Sequence, residues 1–365
     1  MATSNPTVSE KVVALFQPLT IRGVTLRNRI FMSPMCQYSS DDGFATDWHL
    51  VHLGSRAVGG AALITVEATG IAPEGRITPA CLGLYKDEHI AKLSQITKFV
   101  ESRGAVPAIQ LSHAGRKAST RPPKDLGTFI PVSEGGWQII GPSPIPFRPT
   151  DGTPHEMTVG EIAGVTEAHA KAAQRAVKAG FKAIEIHAAH GYLLNEFMSP
   201  LSNTRTDSYG GSLENRIRIT IETIKAVRSA IPADMPLMMK ISAIDWAEGG
   251  FTIEDSVKLA IASKAAGVDL ITCSSGNVVA HQKVEFKPGF NVPFAEKVRK
   301  ESGILTAAVG LITQPEQANE IVESGKADAV TLARELLRDP YFALHAAKAL
   351  GVKPAFPGQY TPAFL

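Results

Sequence analysis

Eight short apolar runs alternate with helical segments along this 365-residue chain, and that alternation predicts a (β/α)8 TIM barrel in the α/β class. Several of the runs are almost continuously apolar rather than alternating, as parallel strands covered on both faces require. Three times a helical stretch closes on glycine and a strand follows, in KAGFKAIEI, KAAGVDLIT and SGKADAVTL. A doubly wound open sheet is the structural rival, but no G-x-G-x-x-G follows the first run.

Taken in order, the strand runs are RIFMSPM (29–35), AALITVEATG (61–70), AVPAIQLSH (105–113) and FKAIEIHAAH (181–190). LMMKIS (237–242), DLITCSSG (269–276), ILTAAVGLI (304–312) and ADAVTLARE (327–335) complete the set. Between them, Thr158 and Glu161 form a T-x-x-E capping box. Ile162, Val165, His169, Ala172, Ala173, Ala176 and Val177 then recur at helical spacing, and Gly180 suits the position just past the end. Ile217, Ile221, Ile224 and Ile231 mark a second helix. Thr313 and Glu316 bracket the start of a third, with Pro315 tolerated in its first turn. The longest excursion, 114–157, is rich in Pro, Gly and Ser and reads as an active-site loop or lid. No domain boundary interrupts 1–365, so one domain is expected.

Composition excludes several function classes. The chain is 44% hydrophobic and 20% charged, ordinary for a soluble globular protein. A net charge of +2 gives no strong pull towards nucleic acid or an anionic membrane. No apolar run approaches the roughly 20 residues that span a bilayer, and no secretory leader is visible. Cys36, Cys81 and Cys273 are widely spaced and form no CxxC, which argues against a disulfide scaffold, a structural zinc or an iron–sulfur cluster. A cytoplasmic, reduced protein is expected.

A barrel of this kind places its active site at the C-terminal strand ends. Polar residues gather there: Ser33 to Tyr38, Glu67 to Thr69, Gln110 to His113, His187 to His190, Lys240, Ser274 to Gly276, Gly310, and Ala333 with Arg334. The last pair of strands is where barrels often bind phosphate; Gly310 allows close backbone approach and Arg334 supplies a fork for phosphate oxygens. A tight turn and a surface ion pair are the plainer alternative. In IHAAHGY (186–192), His187 and His190 lie three apart and Tyr192 follows. Three readings stand: a metal site, satisfied core histidines, or two N–H donors aimed at one carbonyl oxygen with Tyr192 as proton donor. No nearby acid or cysteine offers a third metal ligand, so no metal is expected.

Four stretches together resemble the Old Yellow Enzyme family of flavin-dependent ene-reductases. They are SPMCQYS, AIQLSHAGR, EIHAAHGYLLNEFMSPLSNTRTDSYGGSLENR and ARELLRDP. The likeness runs from about Leu15 to about Leu350, and Cys36 with Tyr38 is similar to the thermophilic-like subgroup. The resemblance implies noncovalent FMN, with NADPH as reductant and NADH as a possible one. It implies that His187 and His190 hold the carbonyl oxygen of an enone, enal or quinone-like substrate, and that Tyr192 protonates Cα. Cys36 would sit by the flavin and touch substrate, and Tyr38 would help close the pocket. Ser33, Pro34 and Met35, with Ala68 and Gln110, would contact the isoalloxazine; Gly310, Ala333 and Arg334 would hold the phosphate. A homo-oligomer, dimer or tetramer, is also implied.

Three positions depart from the family pattern. Lys240 stands where arginine is usual; it keeps the charge but loses the planar fork, so an altered flavin potential is expected. Ala333 replaces the glycine of some relatives. The tail 351–365, a candidate interface segment, ends in QYTPAFL without the arginine some members place in a neighbour's site; Tyr360 or Phe364 is the expected substitute. The rival functions are a hydroxy-acid oxidase with a histidine base, a noncatalytic flavin- or phosphate-binding barrel, and an aldolase using Lys240 as a Schiff-base nucleophile. Outside the motifs, Trp48 and His49 are expected to pack, Cys81 to be buried, and Arg116 to reach a ligand, a neighbour or a surface ion pair.

Overall fold

The structure, a computed structural model, describes residues 12–363. Eight parallel strands close into a barrel: β1 (Ile30–Met32), β2 (Leu63–Gly70), β3 (Val106–Ser112), β4 (Ala183–Ala188), β5 (Leu237–Ser242), β6 (Leu270–Ser274), β7 (Leu305–Ala308) and β8 (Ala329–Leu332). Each pairs with its sequence neighbours, and β8 pairs with β1 through Val330–Ile30 to Leu332–Met32. Every predicted run contains one barrel strand.

The apolar runs conceal an alternation. Inward residues Phe31, Leu63, Ala108, Ala183, Met238, Leu270, Ala307 and Ala329 form one compact layer at the N-terminal end. A hairpin of Leu19–Ile21 and Val24–Leu26 packs on this layer and covers it. Two residues further along, the inward positions become Ser33, Gln110, Glu185, Lys240 and Thr272. The interior thus grades from a dry plug to a polar floor. Outward residues such as Ile64, Ile109, Ile184, Ile241 and Ile271 join the helices in the larger core.

β2 carries one irregularity. Val66 pairs with Ile109 but Ala68 pairs with Gln110, so Glu67 is an extra residue in a β-bulge. The bulge keeps Ala68 on the inward side with Gln110 and turns Glu67 out of the barrel.

The helix signals were local and explicit. Val159–Lys178 begins with the Thr158–Glu161 capping box and buries Ile162, Val165, His169, Ala172, Ala173 and Ala176. Ser212 caps Leu213–Ala230 and Thr252 caps Ile253–Ala266. The third predicted start is shifted: Gln314, not Thr313, is the N-cap of Pro315–Glu323, and Thr313 N–H instead donates to Gln317 Oε1. Residues 114–157 hold three short 3-10 turns and a two-residue parallel pair, Ile140–Gly141 with His155–Glu156. Arg205, buried, donates to the carbonyls of Pro142 and Met157 and ties this excursion to the TRTDSYGG loop.

Candidate active site

Lys240 rises from β5 into the polar floor, 3% exposed, and donates to Ser33 Oγ at 2.8 Å. Burial lowers its pKa, with Glu185 and Cys36 acting in the other direction. Glu185 Oε1 accepts from Gln110 Nε2 at 2.7 Å and its Oε2 accepts from Thr272 Oγ1 at 3.1 Å. Because a carboxylate only accepts, Gln110 must turn its amide nitrogen to Glu185 and leave its oxygen free.

His187, His190 and Tyr192 meet above this floor. The His187 ring lies 5.3 Å from His190 and 4.9 Å from Tyr192, centroid to centroid, and near perpendicular to both. His187 Nδ1 accepts the Ala189 N–H at 3.2 Å, so Nε2 carries the proton of the neutral ring. His190 adopts φ 59°, a strained conformation held by its N–H to Ser242 Oγ at 2.8 Å and by Nε2 against Ser274 Oγ at 2.7 Å. Gly191 follows with φ 69°, and a Cβ there would stand 2.1 Å from the Asn277 carbonyl oxygen, so glycine is required. Burial lowers both imidazoles, His190 to about 3 and His187 well below its usual value. Both rings are therefore neutral N–H donors at neutral pH rather than bases holding a proton. Burial likewise raises the Tyr192 phenol well above 10, so it keeps its proton.

The spacing of the strand ends hid a fourth member of this cluster. Lys117, from the 114–157 excursion, donates to the carbonyls of His190 at 2.7 Å and Asn277 at 3.1 Å. Its Nζ stands 4.4 Å from the Phe147 ring centroid and 5.1 Å from that of Tyr192. Burial pushes it down to about 7, with Glu196 opposing. Glu196 is itself fully buried, accepts the Arg116 N–H at 2.9 Å, and is raised by burial to about 8. Only an alignment of loop and barrel in space brings these groups together.

A cavity of about 230 Å³ opens beside the histidines and runs along β7 and β8. Ser33, Pro34, His190, Lys240, Gly310, Ala333 and Arg334 all line it, which joins the predicted phosphate end to the predicted carbonyl end. Gly310 has φ 118°, and a Cβ there would press to 3.0 Å on the Phe290 ring. Arg334 is exposed and has no protein partner among the described residues, so its guanidinium is free for an anion. A tight glycine turn, an uncommitted arginine and a buried lysine are a donor set that fits a phosphorylated, electron-accepting cofactor.

At the other rim, Cys36 and Tyr38 flank Gln37 in the turn after β1, both partly exposed, with Tyr38 at φ 51°. Met35 packs against the main core, and Ala68 is 6% exposed beside Gln110. Burial raises the Cys36 thiol well above its usual value. Two expectations need correction. Arg116 is buried, not a surface ion pair, and donates to the carbonyls of Ile145 and Val278. Trp48 does not pack inside; it is 54% exposed, while His49 beside it is buried. Cys81 is buried. Tyr360 shares a hydrogen bond with Tyr341 at 3.1 Å, and Phe364 lies outside the described residues.

Residues 14–352 match the family described as NADH:flavin oxidoreductase / NADH oxidase. The chain belongs to this family. It is the Old Yellow Enzyme family, whose members are FMN oxidoreductases reduced by a nicotinamide. The chain is 50% identical over 348 residues to an NADPH dehydrogenase of Geobacillus thermodenitrificans, across 95% of this chain and 97% of that one. It is 47% identical over 348 residues to an NADPH dehydrogenase of Bacillus subtilis, across 95% and 98%. Among solved structures it is similar to morphinone reductase, with a TM-score of 0.78 and 26% identity over 95% of this chain and 92% of that one. It is also similar to a 2-naphthoyl-CoA reductase, with a TM-score of 0.82 and 27% identity over 93% of this chain. The chain spans about half, 52%, of that larger reductase. No helix among the described residues is long and apolar enough to cross a membrane.

Proposed function

We propose that this Old Yellow Enzyme family member is an NADPH-dependent ene-reductase. The chemistry that bound FMN would supply is hydride transfer, from NADPH to Cβ of an α,β-unsaturated carbonyl compound. The observation that carries this reading is the pair of neutral imidazoles packed beside a protonated phenol, with His190 of that group lining the cavity.

His187 and His190 each give an N–H to the substrate carbonyl oxygen. That oxygen gains negative charge as Cβ is reduced, so both hydrogen bonds strengthen in the transition state and lower the barrier. His190 exchanges its Ser274 contact for the substrate. Tyr192 delivers its proton to Cα, which completes the addition. Arg334, with the main chain of Gly310 and Ala333, holds the FMN phosphate. Ser33, Pro34, Met35, Ala68 and Gln110 face the isoalloxazine, and the Lys240 charge favours the electron-rich reduced flavin. Cys36 and Tyr38 close the substrate side. A hydroxy-acid oxidase would instead need one histidine to accept and keep a proton, and burial lowers both.

The test is an anaerobic half-reaction. NADPH should bleach the flavin bands of the purified protein, and cyclohex-2-enone should restore them rapidly. Bands that bleach and stay bleached on adding the enone would reject the ene-reductase reading while keeping the flavin.

A further inference from the structure

We propose that Glu67 and His49 are positioning residues, a buried carboxylate–imidazole pair that clamps the Cys36–Gln37–Tyr38 turn in place over the substrate side of the cavity. The proposal rests on the reading above only in taking Cys36 and Tyr38 as the substrate wall.

The pair is built, not incidental. Both side chains are 2% exposed, and His49 Nε2 meets Glu67 Oε1 at 3.1 Å. His49 Nδ1 accepts the Thr46 N–H at 3.0 Å, which leaves the proton on Nε2 to be donated to Glu67. The second carboxylate oxygen accepts the Gln37 N–H at 3.2 Å. One carboxylate therefore joins the turn after β1 to the start of the helix Asp47–Val58. The bulge in β2 makes this possible: Glu67 is the unpaired residue, and regular pairing would have pointed it into the barrel.

The turn it holds is strained, and side-chain bonds from Trp48 and Thr46 also tie it to the following helix. Tyr38 sits at φ 51°, which a non-glycine residue adopts only when its surroundings impose it. Gln37 is fixed by its Oε1, which accepts from Trp48 Nε1 at 3.0 Å. Thr46 Oγ1 donates to the Ser39 carbonyl at 3.2 Å. The carboxylate thus lies behind the main chain that carries two pocket side chains. Its charge also acts on the Cys36 thiol. Burial raises that thiol first, Cys81 and Glu67 raise it further, and the Ala68 N–H and Lys240 oppose them.

The experiment is the pH profile of Cys36 alkylation by iodoacetamide in the FMN-loaded protein. Cys81 and Cys273 are buried, and a Cys36→Ala control assigns the signal. Glu67→Gln removes the charge and leaves an amide that cannot accept from both donors. The expected midpoint falls by about one pH unit, with alkylation at pH 8 about tenfold faster. Glu67→Asp keeps the charge but cannot span both partners; it should speed alkylation about threefold and raise KM for the enone more than it lowers kcat. Either variant that folds decides the matter. Alkylation at the wild-type rate and midpoint overturns the clamp. If wild type fails to reduce the enone, the proposed function falls, and the alkylation profile still judges the clamp.

Discussion

On the proposed reading, the two ends of the site bind by opposite means. Along β7 and β8 the walls are main chain, a left-handed glycine at 310 and an exposed guanidinium at 334 without a partner among the described residues. At the ends of β4 to β6, His190 lines the cavity and is packed with His187 and Tyr192 ring against ring, all three kept neutral by burial. A phosphate arrives with its charge already formed, so an open cation and backbone N–H groups suffice. A carbonyl gains charge only during reaction, so its donors must be desolvated and fixed beforehand. The comparison teaches that binding charge and developing charge call for different architecture in one cavity.

The largest test concerns the cost of storing neutral histidines in the interior. His52, His113 and His190 are lowered to about 3 and His169 to about 4, each chiefly by burial, against 6.5 when unfolded. Below pH 6.5 the unfolded chain takes up these protons and the folded one does not, so stability falls with pH. Glu196 works the other way, since at about 8 the folded chain holds a proton that the unfolded one loses above 4.5. Four histidines less one carboxyl leave about three protons, which should remove about 5 kcal/mol between pH 6.5 and 5, and His187 acts in the same direction. Chemical denaturation at the two pH values measures it; a flat profile would mean these histidines are not held neutral.

A sharper test separates the ends. His187→Ala should lower kcat/KM for an enone by about 10²–10³-fold with FMN still bound, read from steady-state rates and the visible spectrum. Arg334→Met should do the reverse: FMN Kd, followed by flavin fluorescence, should rise about 10–100-fold while the saturated enzyme turns over near the wild-type rate. Were Arg334→Met to lose turnover at full occupancy, the two ends would not be separable. The smallest effect lies outside the cavity. Thr158→Ala removes the cap that accepts the Glu161 N–H and should cost about 1 kcal/mol in thermal or chemical unfolding, with kcat unchanged.

Much of this site was legible residue by residue. His187, His190 and Tyr192 fall within one strand end, so sequence spacing alone places them together. Gly310 and Arg334 could be paired because adjacent strands of a barrel end at the same rim. Lys117 and Glu196 could not be read in this way, and Glu67 was placed at the rim without its direction. Lys117 comes from an excursion whose path no periodicity describes. Trp48 was misjudged, and the surface-ion-pair reading of Arg116 failed, because exposure depends on what packs over a loop or helix, not on the residue type.

The sequence by itself determined the number and order of strands, the capped helices and the residues gathered at the C-terminal rim. These follow from short-range physics: apolar runs, capping boxes and glycine stops act within a few residues. Only the tertiary structure decided the protonation states and the direction of key side chains. Desolvation depends on every neighbour in space, so the neutrality of His190 cannot be read from IHAAHGY. The bulge at Glu67 depends on how β2 registers against β3, and that single extra residue turns a carboxylate from the barrel floor to the turn that carries Cys36 and Tyr38.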